Sequence, residues 1–172
     1  MSIKSAVVLA ASVALVSGCG EQSQTASNSS ENPTSTSATP VAWILETQPE
    51  NAISISEAKA SAEEGQEIAI RGRIGGRKVP ITEGSPVFTV VDMSLPHCGE
   101  IPGDKCGTPW DYCCETAEDI TANAATIRLA SADPRVGGLG ELDEVIIKGT
   151  VGPRPNAEVL TINATGVYVV GE

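Results

Sequence analysis

Aromatic residues are scarce. Phe, Trp and Tyr make up 3% of the 172 residues, with one phenylalanine, and there is one histidine. So few rings leave little on which to stack nucleobases. Positive charge is also short: 11 Lys and Arg stand against 22 Asp and Glu, for a formal charge of −11. Binding to nucleic acid draws its affinity from neutralised phosphates, so this balance argues against a nucleic-acid partner. No apolar run is long enough to cross a bilayer, which takes ~20 residues. Paired carboxylates, a nucleophile elbow and a helical zinc motif are all missing. No serine or carboxylate is spaced to make His97 a catalytic base, so the chain is not expected to be an enzyme.

The chain does have an export-like start. Lys4 precedes an apolar run from Ala6 to Val16 and then small residues. That pattern reads as a signal peptide over residues 1–18. It ends in "LVSGC", Leu15 to Cys19. This resembles the lipobox of bacterial lipoproteins. The resemblance implies cleavage before Cys19 and acylation (palmitate-type chains) of that cysteine. It places the protein in the bacterial envelope, lipid-anchored on the periplasmic side. Each buried methylene contributes ~0.8 kcal/mol, so more than one acyl chain gives a stable anchor. Residues 19–40 are rich in Ser, Thr, Asn and Gln and nearly free of apolar side chains. Such a segment buries too little surface to offset its ordering entropy and reads as a disordered tether.

Residues 41–172 have the length of one domain. Ser54 and Glu57 have capping-box spacing, and Ile53 and Ala58 are placed as a hydrophobic staple. They predict a helix through "ISEAKASAEE" that stops at Gly65. The pattern then turns to period two. Five strands are expected: "EIAIRGRI", "PVFTVVD", "ATIRLA", "EVIIKGTV" and "VLTINATGVYVV". Inward positions are Ile68, Ile70, Gly72 and Ile74 in the first strand and Ile127 and Leu129 in the third. Val145, Ile147, Gly149 and Val151 follow in the fourth, and Leu160, Ile162, Ala164 and Tyr168 in the fifth. "IAIRGRI" and "VIIKGTV" share a mid-strand glycine, a device for coiling a strand sharply enough to close a small barrel. These residues resemble an OB-fold domain. The resemblance implies an all-β, five-stranded barrel in which the first and fourth strands pair. It also implies that the last strand returns as a hairpin through "GPRPNAE". "SADPRVGGLGELD", where that fold commonly has a helix, reads as loop.

Between the second and third strands lies "PHCGEIPGDKCGTPWDYCCE", residues 96–115. Loops this long inside a compact domain are uncommon unless functional or braced. Trp110 and Tyr112 are its apolar anchors, and Asp111 is placed to cap a turn. In an oxidising compartment Cys98, Cys106, Cys113 and Cys114 would form two disulfides, and three pairings exist. Adjacent cysteines point to opposite sides, which favours the pairings that split Cys113 from Cys114. Closing a loop of about 15 residues contributes roughly 3 kcal/mol. On this reading no cofactor is needed. The alternative is zinc or copper held by His97, Cys98, Cys106 and Cys113 or Cys114, or redox chemistry at the same loop. The spacing lacks the CxxC knuckle of a strong zinc signature. "GTPWDYCCE" resembles a segment of exported OB-like bacterial lipoproteins of uncharacterised function, which implies the domain type and no activity.

Arg71, Arg73, Arg77 and Lys78 form the one basic cluster. Arg71 and Arg73 should point outward, opposite Ile70 and Ile74. They are a weak candidate site for a small anion or glycan, or a solvated face that deters strand pairing. The sequence thus predicts a membrane-tethered, non-enzymatic binding module of the envelope, whose partner is an envelope protein, a glycan or a small anion.

Overall fold

Two glycine-bearing strands form the spine of the domain. In the computed structural model, which describes residues 41–171, β2 (Glu67–Ile74) and β5 (Glu144–Val151) pair antiparallel. The ladder runs from Glu67↔Thr150 to Arg73↔Glu144. β3 (Val87–Val91) continues from β2, and β4 (Ala124–Arg128) pairs with β3. β6 (Thr161–Val169) lies parallel to β4 and antiparallel to β5. The pairing β2–β3–β4–β6–β5 returns to β2, so the sheet closes into a five-stranded barrel. The last strand, β6, sits between β4 and β5. This is an OB-type barrel, as the sequence resemblance implied. The proposed signal peptide, Cys19 and the tether lie outside the described residues.

Alternation fills the interior. Ile70, Ile74, Val90, Ile127, Ile147 and Ile162 are fully buried. Each such side chain contributes about 1.5–3 kcal/mol through burial. At Gly149 an added Cβ would stand 2.3 Å from the Asn163 carbonyl oxygen, so β5 and β6 approach too closely there for any side chain. The ladder also slips at this point. Gly149 faces Ala164 while Lys148 faces Gly166, leaving Thr165 as an extra residue. A bulge shifts side-chain parity. Beyond it Val167, not Tyr168, is fully buried, which corrects the inward placement of Tyr168.

The helix α1 (Ile55–Ser61) begins as expected, with the Ser54 hydroxyl accepting from the Glu57 amide at 3.1 Å. It stops at Ala62, three residues before the predicted Gly65. Glu63 and Glu64 follow directly, and acids at a helix C-terminus oppose the dipole. Arg154, from the β5–β6 connection, caps the carbonyls of the helix end. It donates to Ala58, Lys59 and Ala62 of the helix end and to Ala157 and Val159 of its own hairpin. Lys59 is itself buried, donating to the carbonyls of Thr121 and Glu158. Burial pushes its ammonium below the ordinary lysine value.

Two elements were not foreseen. β1 (Ile53–Ser54) adds a short strand parallel to β2. α2 (Ala117–Asn123) closes the long insertion, with Thr116 as N-cap accepting from the Asp119 amide at 3.1 Å. "SADPRVGGLGELD" is loop apart from a 3-10 turn over Pro134–Gly137.

Candidate functional site

The cysteine loop is fixed to the barrel by backbone and ring contacts. Gly76 donates its amide to the Trp110 carbonyl at 2.8 Å, and the Trp110 indole donates to the Lys78 carbonyl at 3.2 Å. The Tyr112 ring is fully buried against Gly75, where a Cβ would stand 2.7 Å from both Tyr112 Cε2 and the Trp110 carbonyl. Tyr112 has φ 56°, a left-handed conformation that costs a non-glycine residue about 1–2 kcal/mol. That conformation ends the 3-10 turn Pro109–Asp111 and reverses the chain. Asp111 holds the reversal: its carboxylate accepts from the Cys113 amide and the Thr108 hydroxyl, each at 2.9 Å. Trp110 and Tyr112 are therefore the anchors, and Asp111 the turn cap, that the sequence indicated.

The reversal sends Cys113 back toward the start of the loop. Its Sγ lies 3.4 Å from Cys98 Sγ and 3.4 Å from Cys106 Sγ. Neither separation is the ~2.05 Å of a disulfide, and all four thiols are free. The two expected bridges are thus not formed in this arrangement. Cys114 lies with Cys98 and Asp104, and its thiol donates to Asp104 Oδ2 at 3.2 Å. Asp104 Oδ1 accepts from the Cys106 amide at 2.7 Å.

The electrostatics centre on Cys98, which is completely buried. Burial pushes its pKa up, but hydrogen bonds from Cys114, Cys113 and Cys106 outweigh that and hold it below the ordinary thiol value. The partners move the opposite way. Donation to Cys98 and Cys106 raises Cys113. Donation to Cys98 and Asp104 pushes Cys114 up to about 12. Asp104 is lowered, mainly by the Cys114 thiol and then by the Cys106 amide.

Two groups of donor atoms are each close enough to hold one cation. Cys98, Cys106, Asp111 and Cys113 form the first, and Cys98, Asp104 and Cys114 the second, with all ligand atoms of a group within 4.8 Å of one another. His97 belongs to neither. Its Nδ1 accepts from the Gly99 amide at 3.1 Å, and its Nε2 faces Glu100 at 3.5 Å. His97, a ligand in the metal alternative, instead caps a turn, while Asp111 and Asp104 stand among the sulfurs.

The four residues of the basic cluster have different surroundings. Arg71 is paired with Glu144, and Arg77 and Lys78 are exposed on the turn after β2. Arg73 departs from its predicted outward, solvated position. Glu100 of the cysteine loop covers it, at 3.0 Å from Nη2. The Arg73 side chain is 13% exposed, and its Nη1 and the Tyr112 hydroxyl are buried without a hydrogen-bond partner among the described residues. Burial pushes the Tyr112 phenol above its usual value, opposed by Arg73. A separate open groove of about 540 Å³ runs beside β1 and β2, between Leu45, Ile53, Ile68 and Ala69, rimmed by Glu50, Glu67 and Lys148.

No protein-family model matches the chain, and a search of curated proteins also finds no match. Among solved structures, the chain is similar to the hypothetical protein ygiW from E. coli, at 17% identity and a TM-score of 0.39. That match covers 71% of this chain and 94% of the other. It is similar to an OBody bound to hen egg-white lysozyme, at 15% identity and a TM-score of 0.42, over 73% of this chain and 97% of the other. A third likeness is to a putative aspartyl-tRNA synthetase from Leishmania major Friedlin. Its identity is 12% and its TM-score 0.38, over 75% of this chain and 23% of the other. All three scores are below 0.5, and the fold assignment rests on the strand pairing of this chain.

Proposed function

We propose that this protein is a lipid-anchored, extracytoplasmic, non-enzymatic binding module whose OB-type barrel presents a thiolate site for a soft metal ion, zinc or cuprous copper. The observation that carries the reading is the shared sulfur: Cys113 stands 3.4 Å from both Cys98 and Cys106. Disulfides sort sulfurs into pairs. A metal ion gathers three or four around one point, and thiolates select zinc and Cu(I) among the biological cations. Asp111 completes the first donor group. The compartment fits as well. Free thiols this close would oxidise outside the cytoplasm, and a bound metal protects them.

The lipobox supports the anchor, with Cys19 as the acylated residue, and the polar residues 20–40 support a tether that lets the barrel stand off the membrane. The acidic surface and the dispersal of Arg71, Arg73, Arg77 and Lys78 favour this reading over an anion, glycan or nucleic-acid site on the barrel face.

The test uses the full chain, isolated anaerobically from the membrane fraction. Elemental analysis is expected to find stoichiometric zinc or copper. Intact mass after metal removal and alkylation is expected to show four modified thiols in the loop and acyl chains on Cys19. A metal-free protein with two disulfides would contradict the metal reading, and an unacylated chain in the soluble fraction would contradict the anchor.

A further inference from the structure

We infer that the loop is a two-metal site in which Cys98 is the bridging thiolate, an inference that rests on the metal reading above. Three observations lead there. The two donor groups share one residue, Cys98, and no other. Cys113 and Cys114 are divided between them: Cys113 faces Cys98 and Cys106, while Cys114 faces Asp104. Cys98 is fully buried, its sulfur 3.4 Å from that of Cys113 and within 4.8 Å of those of Cys106 and Cys114.

Adjacent cysteines do not readily chelate one ion through both side chains. In a single-ion site one of the two would be surplus. Here each has its own carboxylate-bearing neighbourhood, Asp111 for Cys113 and Asp104 for Cys114. A thiolate sulfur keeps enough lone pairs to bind two cations at once. The first position offers three sulfurs and Asp111, which makes the four donors that a closed tetrahedral site needs. The second offers two sulfurs and Asp104, and Cys114 and Asp104 are exposed, so this ion remains open to exchange.

The experiment is an anaerobic titration of the reduced, metal-free full chain with zinc alone, read as bound ions per chain by native mass spectrometry. The chain is expected to take up two ions. Cys114→Ser combined with Asp104→Asn should lose the weaker ion and keep the tighter one. Cys106→Ser, which removes one of its sulfur donors, should weaken the tighter one. Cys98→Ser should impair both. Saturation at one ion, unchanged by the Cys114→Ser and Asp104→Asn pair, would overturn the two-metal inference and leave the metal reading standing. No uptake at all would overturn both. The paired substitutions lie on the exposed part of the loop, so thermal unfolding of the barrel serves as the folding control.

Discussion

The Gly76 amide and the Trp110 carbonyl meet at 2.8 Å, and this bond joins the turn after β2 to the cysteine loop. Around it the loop is built like a hinged plate. Tyr112 fills the space beside Gly75, and Glu100 covers Arg73. The sulfurs are held in place by this docking, not by one another.

Gly75→Ala tests that dependence. The new methyl would meet Trp110 and Tyr112 at 2.7 Å, so the plate must lift. We expect a stability loss of about 1–3 kcal/mol from overpacking. We also expect faster proteolysis within residues 96–115 and weaker metal retention, all measured on the purified chain. Unchanged retention would show that the loop forms its site without the barrel.

Arg154 is predicted to be the main clamp between the β5–β6 hairpin and α1, because it satisfies carbonyls on both. Arg154→Met keeps the aliphatic stem and removes the donors. Denaturant unfolding should show a loss of about 2–3 kcal/mol, the scale of charge-assisted hydrogen bonds. Arg154→Lys should recover little of it, since an ammonium cannot span the same fork of carbonyls.

Asp92 should make the fold acid-sensitive. The residue is 3% exposed. Burial raises its pKa, but the Ser56 and Ser94 amides and their hydroxyls outweigh that and hold it below the ordinary carboxylate value. A depressed folded-state pKa means the folded form binds fewer protons than the unfolded form. The stabilisation is then complete above the unfolded value of ~3.9 and is lost as pH falls through the lower folded value. Urea midpoints should drop over that acidic window in the native chain and drop less in Asp92→Asn, which should already be weaker at neutral pH.

The barrel was largely legible in the sequence because its signals are local. Period-two runs located the five strands, and the glycines at 72 and 149 marked the pair that closes the sheet. Tyr168 was misplaced because a bulge opposite Lys148 and Gly149 reverses parity, and strand periodicity alone does not reveal a bulge. α2 had a signal, Thr116 three residues before Asp119, in a stretch dominated by its cysteines. The gathering of the sulfurs with Asp104 and Asp111 had none of that kind. Its donors are gathered by a left-handed Tyr112 and by docking on Gly75 and Gly76, not by a fixed spacing along the chain. Arg73 was read as solvated for the same reason, since what covers it arrives from a segment 27 positions away in the chain, at Glu100.

X-ray absorption at the metal edge of the protein as isolated tests the central claim most directly. The account predicts a zinc or copper spectrum dominated by sulfur neighbours, at about 2.3 Å for zinc. A first shell made only of nitrogen and oxygen, or no edge above background, would contradict it.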